Sequence, residues 1–252
     1  MSVRRALRRW AEHVAGVRIY NVLPRGMDVA TDIARTFPAY HITTVFDVGA
    51  NVGDTAVEYL SCFPEAEIYC FEPVRTTFLE LQRNIGARKG VHCVQVAMGA
   101  QRAVGRMALA GKSARFRLLS HGAAFQHAED LTIEDVDVLP IDEFCADHNV
   151  SRINYLKVDT EGADLDVLKG AAALLDTQRV DFVEVEAGMN AGNGLHVPFE
   201  VLKTYLESRN YLLFGIYAQM HEWPTKQAHL RRINSTFVSR RMVDGHKVPY
   251  RV

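Results

Sequence analysis

Residues 43–60 read TTVFDVGANVGDTAVEYL, a run of β-branched and aromatic residues that ends in Asp47-x-Gly49-x-Asn51-x-Gly53 and passes into apolar residues at helical spacing. The stretch predicts a strand, a tight turn and the start of a helix. In an open α/β sheet the first such turn lies beyond the carboxyl end of the strand, where ligands bind. Gly49 and Gly53 allow the backbone to approach a ligand and bend sharply, and the helix start at Asp54 and Thr55 offers free amides. A dinucleotide fingerprint would need glycines at 49, 51 and 54, but positions 51 and 54 are Asn and Asp. Asp47 at the strand end repels a pyrophosphate, so the expected ligand is cationic near this loop.

Further along the chain, short apolar runs alternate with helical patterns, which is the βαβ signature. Strands are expected near 44–48, 67–71, 91–96, 153–158, 180–185, 211–217 and 234–239, and helices near 53–62, 75–86, 163–175 and 198–209. Continuous apolar strands suit a mainly parallel sheet of seven strands with helices on both faces. Residues 100–150 break the rhythm. RMALA and RFRLLS alternate, and a polar run holding His121, Gly122 and His127 follows, so an inserted hairpin and loop over the sheet edge is expected.

At 252 residues, 48% hydrophobic and 23% charged, the chain can bury the core of one α/β domain. Its net charge of −1 gives no reason to expect nucleic acid as a partner. Residues 1–25 nevertheless hold Arg4, Arg5, Arg8, Arg9, Arg18 and Arg25 against Glu12, a local charge of +5. We read residues 1–40 as a basic helical extension and 41–252 as the main domain. The arginines interrupt any signal-peptide apolar run, and no stretch approaches the ~20 apolar residues of a membrane span. Cys62, Cys70, Cys93 and Cys145 lack CxxC spacing and read as reduced core residues of a cytoplasmic protein.

S-adenosylmethionine, with its ammonium and sulfonium groups, meets the demand set by Asp47, and its carboxylate can use the helix-start amides. Glu72, 25 residues after Asp47 and followed by Pro73, ends the second strand, where a carboxylate accepts hydrogen bonds from ribose hydroxyls. VFDVGANVGDT, CFEPV, VQVAMG, LPIDEF, YLKVDTEGADLDVLKGA, VEVEAG and INSTFVSRR together resemble the FkbM family of S-adenosylmethionine-dependent methyltransferases. The resemblance runs from about 43 to about 240. It implies a Rossmann-like class I methyltransferase fold and methylation of a hydroxyl on a sugar, glycan or polyketide-like product. It also places Asp47, Gly49, Asn51, Gly53, Asp54, Thr55, Glu72, Pro73, Ala97, Met98 and Asp159 around the cofactor.

Methyl transfer to a hydroxyl needs alignment of the reactants and an acceptor for the proton. Asp159, at the end of the fourth core strand, is the expected base beside the acceptor hydroxyl, with Glu161 two residues on as a further candidate, although the two equally suit a helix cap and a first-turn carboxylate. Glu184 and Glu186 share one face of the fifth strand. Glu186 is a candidate for acceptor binding, and Glu184 is expected to pair with Lys157. His196, in GNGLHVP, is a candidate to share a proton, although a lone loop His is more often a surface residue. Asp159, Glu161 and Glu186 could also hold Mg²⁺, which ranks below a metal-free base. The rival readings are an NAD-dependent reductase, which lacks its fingerprint, and a non-catalytic cofactor-binding module or scaffold recruited through the basic N-terminus. A homodimer is compatible with the sequence.

Overall fold

The structure, a computed structural model, describes residues 10–20, 22–109, 116–118, 132–190 and 192–246. Arg4, Arg5, Arg8 and Arg9 of the basic stretch, and His121, Gly122 and His127 of the insertion, lie outside the described residues.

The elements run α1 (Val29–Thr36), β1 (Thr44–Val48), α2 (Asp54–Cys62), β2 (Glu67–Phe71), α3 (Arg75–Ile85), β3 (Val91–Val94), β4 (Ala97–Met98), β5 (Ala103–Leu109), β6 (Phe116–Leu118), β7 (Thr132–Leu139), α4 (Ile141–Asp147), β8 (Ile153–Val158), α5 (Asp164–Lys169), α6 (Ala172–Asp176), β9 (Val180–Gly188), α7 (Phe199–Glu207), β10 (Tyr211–His221), β11 (Leu230–Ser239) and α8 (Arg240–Asp244). The main sheet has seven strands in the order β10-β11-β9-β8-β1-β2-β3. Only β11 runs against its neighbours β9 and β10. This is a Rossmann-like α/β fold with a mainly parallel sheet, and all seven expected strands are present.

Every residue of β8 and of β9 is buried, because helices cover both faces of the sheet. Phe46, Val48, Leu156, Val158, Val183 and Val185 pack on one face with Phe144, Leu168 and Leu174. Val45, Tyr155 and Phe182 point to the other, where Ala56, Leu81, Ile85 and Phe37 pack. Residues 29–40, which the sequence assigned to an extension, therefore contribute Ile33 and Phe37 to this core. Asp28 caps α1 by accepting from the Thr31 amide at 2.6 Å.

Three local departures have physical reasons. The helix expected at 163–175 is two helices, and at the break between them Gly170 lies so close to Gly99 that a Cβ would stand 2.0 Å from the Gly99 carbonyl oxygen. The strand expected at 91–96 stops at Val94, and Ala97–Met98 joins a second sheet, β4-β7-β5-β6, whose β5 and β6 form the expected hairpin. Cys62 is exposed, not a core residue, while Cys70 and Cys145 are buried. Among the described residues no helix is long and apolar enough to cross a membrane.

Candidate active site

The strand order reverses between β1 and β8, since the chain leaves β1 toward β2 and later crosses back to β8. A crevice opens outside the strand ends at such a switch point. Here it is an open cleft of about 1100 Å³. Val48 and Gly49 end β1 on one side of it, and Asp159 and Thr160 follow β8 on the other. Gly49 has φ +83°, and a Cβ there would meet the Asp159 carbonyl oxygen at 2.0 Å, so the two loops meet only with glycine at this position.

Of the residues assigned to the cofactor, Gly49, Asn51, Asp54, Thr55, Glu72, Pro73, Ala97, Met98 and Asp159 line the cleft, joined by Phe71, Val96 and Met107. Glu72 is 4% exposed. Its oxygens accept from the amides of Val74 at 3.0 Å and Asn51 at 3.2 Å. Burial pushes its carboxyl up to about 7, against the lowering effect of those two bonds. Beside it, Phe71, Pro73, Val96, Met98 and Met107 make an apolar slot. No side chain caps the start of α2, so its first amides are not taken by the Gly53 position.

Gly53 and Asp47 lie off the cleft wall. Gly53, at φ +99°, faces α3, where a Cβ would crowd Ile85 Cδ1 at 2.9 Å. Asp47 is fully buried beneath the loop, with Lys157 Nζ 3.4 Å from its Oδ1. Lys157 stands 3.3 Å from Asp159 Oδ2 as well. Burial alone would lower the Lys157 pKa, but Asp47, Asp159 and Glu184 outweigh it and hold the ammonium above its ordinary value. Burial likewise pushes Asp47 up while Lys157 pulls it back. The expected Lys157–Glu184 pair is not formed as a contact. Although the two residues are register partners, Glu184 accepts from the Tyr155 hydroxyl and, at 2.9 Å, from Asn234 Nδ2.

At the other end of the cleft, Glu161, Glu186 and His196 come together, with one donor atom of each within 4.8 Å of the others. Glu161 lines the cleft; Glu186 and His196 are buried behind it. Glu161 has φ +51°, a strained setting for a non-glycine residue. Two devices hold it. Asp164 accepts from the amides of Thr160 and Gly162, each at 3.1 Å, and burial lifts its carboxyl to about 6. Gly162, at φ +107°, passes so close to the Leu195 carbonyl oxygen that a Cβ would stand 2.5 Å away, which brings the His196 loop against the Glu161 loop.

His196 is 7% exposed, contrary to the surface position usual for a loop His. Its Nδ1 lies 2.9 Å from Asn193 Oδ1. That oxygen faces His196 because Asn193 Nδ2 donates to the Arg231 carbonyl at 2.9 Å. Nε2 lies 2.6 Å from Glu186 Oε2 and 3.7 Å from Glu161 Oε2. Burial lowers the His196 pKa, with Glu161, Asp164 and Asp159 opposing. Arg232, diagonal to Glu186 across the β9–β11 pair, touches Glu186 Oε1 and reaches the cleft. The sequence reading missed Arg232, Asn193 and Asp164. The only local signals were an Asn three residues before His196 and the acidic residue closing TEGAD.

A sheet of this order, with a carboxylate closing β2 beside an apolar slot and acid–base groups at the ends of β8 and β9, defines a class I methyltransferase. The methyltransferase FkbM domain model matches residues 47–213. The chain belongs to that family and is an S-adenosylmethionine-dependent methyltransferase. It is 29% identical over 205 residues to Methyltransferase 1 of Beauveria bassiana, covering 71% of this chain and 75% of that protein. It is 28% identical over 147 residues to the hexuronic acid methyltransferase AglP of Haloferax volcanii, covering 58% of this chain and 57% of the relative. To the 2-O-methyltransferase NoeI of Sinorhizobium fredii it is 23% identical over 152 residues, covering 56% and 62%.

Proposed function

We propose that the protein methylates a hydroxyl oxygen of a sugar, glycan or polyketide-like acceptor, and that Glu161 takes the proton. The observation that carries this reading is the placement of a carboxylate in strained backbone at the mouth of the cleft, opposite Glu72, with a buried His–Glu pair behind it. S-adenosylmethionine, when bound, supplies a methyl carried on a sulfonium.

Glu72 suits the ribose hydroxyls, since each carboxylate oxygen spends one lone pair on a backbone amide and keeps another. The apolar slot suits the adenine, and the uncapped start of α2 suits the amino acid carboxylate. Asp159 carries negative charge to the cleft surface for the ammonium. Lys157 Nζ lies 3.3 Å from Asp159 Oδ2, so Asp159 is already engaged in an ion pair, and the proton is assigned to Glu161. His196 and Glu186 act through Glu161 and do not line the cleft. The names of AglP and NoeI, one a hexuronic acid methyltransferase and the other a 2-O-methyltransferase, favour a saccharide acceptor.

The test pairs two measurements: calorimetry for S-adenosylmethionine and S-adenosylhomocysteine release with a panel of hexoses, uronic acids and their glycosides. Glu161→Gln is expected to lower turnover by roughly 10²–10⁴-fold and leave cofactor affinity within about 2-fold. Equal turnover in the variant removes the proton from Glu161, and a protein that does not bind the cofactor refutes the reading as a whole.

A further inference from the structure

The donor atoms behind Glu161 are arranged in a way that hydrogen bonds do not complete. Glu186 is 1% exposed, and among the described residues neither of its oxygens accepts a hydrogen bond; Glu161 Oε2 is buried and, among the same residues, accepts none either. Asn193 fixes the tautomer of His196. Its Oδ1 receives Nδ1–H, so a neutral His196 turns the bare lone pair of Nε2 toward Glu186 Oε2 at 2.6 Å and Glu161 Oε2 at 3.7 Å. Lone pairs at such separations repel unless something positive sits among them. Arg232, which lines the cleft, touches Glu186 at Oε1, whereas the His196 contact is with Oε2.

The geometry points to a divalent first-row transition ion, of the Mn²⁺ or Zn²⁺ class, held by Glu161 Oε2, Glu186 and His196 Nε2. The inference deepens the proposed function and rests on it for the ion's role. An imidazole among carboxylates selects such ions over Mg²⁺ and Ca²⁺, which take oxygen donors. Bonds of about 2.1 Å put neighbouring donors roughly 3.0–3.4 Å apart, so a bound ion would open the 2.6 Å approach of His196 to Glu186 and draw Glu161 in from 3.7 Å. Asn193 is the outer partner expected of a ligating His, since it accepts from the ring nitrogen turned away from the ion. Two carboxylates and a neutral imidazole balance the charge of the ion. Arg232, a third exposed along its side chain, then turns from Glu186 into the cleft. Glu161 keeps Oε1 for the acceptor hydroxyl, so its proton-accepting role and its ligand role coexist. The sequence grouped Asp159, not His196, with the two glutamates and ranked a metal-free base higher, with nothing in the spacing to distinguish the two.

The experiment uses EDTA-stripped full-length protein and Mn²⁺ alone, with bound ion read from the loss of the free Mn²⁺ electron paramagnetic resonance signal. One Mn²⁺ per chain is expected, displaced by Zn²⁺ and not by equal Mg²⁺. Glu186→Gln and His196→Gln should each weaken binding at least about 30-fold, and Asn193→Ala about 10–100-fold. Cofactor calorimetry on each variant verifies the fold, and Glu161→Gln, at the cleft edge, is a variant that does not disturb the core. Absence of saturable Mn²⁺ binding in protein that binds S-adenosylmethionine overturns the metal site and leaves the proposed function standing. Unchanged Mn²⁺ binding in Glu161→Gln and Glu186→Gln also overturns it. Mn²⁺ binding as described, in protein that ignores S-adenosylmethionine, supports the metal site and refutes the proposed function.

Discussion

Replacing Glu72 with Gln separates two consequences of burying a carboxyl at the ligand site. The side chain sits at 4% exposure with its pKa lifted from an ordinary 4.5 to about 7, burial being the main cause. A folded pKa above the unfolded one means that the stability contribution is full below about 4.5 and is lost as pH rises through 7. The loss above that window is roughly 3 kcal/mol. Gln avoids it but gives up one backbone amide bond, worth about 1 kcal/mol. Glu72→Gln should therefore be more stable than the parent by about 2 kcal/mol at pH 8 and close to it or below it at pH 4.5. Cofactor binding should move the other way. Losing the charged hydrogen bonds to ribose hydroxyls costs roughly 1.5–3 kcal/mol, a weakening of about 10- to 150-fold. In the parent, affinity should fall about 10-fold between pH 8 and pH 6, because only the ionised carboxylate accepts both hydroxyls, and the variant should lack this dependence. Thermal unfolding across pH 4.5–8 and calorimetry across pH 6–8 read both. Parent affinity that is flat with pH, together with equal affinity in the variant, would refute the assignment of Glu72 to the ribose.

Gly162→Ala sets a Cβ 2.5 Å from the Leu195 carbonyl oxygen at φ +107°, so it should cost about 1–3 kcal/mol and lower turnover more than cofactor affinity. Unaltered turnover would mean that the contact between the two loops does not position Glu161. Asp47→Asn should lower stability by about 2 kcal/mol, or roughly 4–8 °C in Tm, by leaving buried Lys157 with Asp159 alone. Cofactor affinity should fall several-fold at low salt; an unaltered value would show that charge under the loop does not reach the ligand.

The seven strands were legible in the sequence because burial on both faces makes them nearly continuous apolar runs, as in VDFVEV and INYLKV. The positions of Glu72, Asp159 and Glu161 followed from the rule that ligands lie beyond strand ends. What the pattern could not carry was contact between distant segments. Gly170 approaches Gly99, some seventy residues earlier, and Gly162 lies against Leu195, the neighbour of buried His196. Arg232 reaches Glu186 only because β11 inserts antiparallel beside β9, a pairing that local periodicity does not encode.

The register of β1, β8 and β9 sets Asp47 beneath the cleft and ties it to Asp159 through Lys157. Asp47, Lys157 and Glu184 are lateral partners on one face of the sheet, Asp47 and Lys157 each one residue short of the end of its strand. Glu184 is taken up by Tyr155 and Asn234, which leaves Lys157 between Asp47 and Asp159. Two carboxylates around one ammonium leave a net charge of −1. Of the three groups only Asp159 has substantial exposure, 29% of its side chain, so the surplus negative charge emerges at the cleft through it. The lysine thus lets a fully buried acid under the glycine loop contribute to the field at the ligand without facing it. A neutral residue at either acidic position would leave a balanced pair and remove the attraction for a cationic ligand, and this is why an aspartate is needed at the end of β1 as well as after β8.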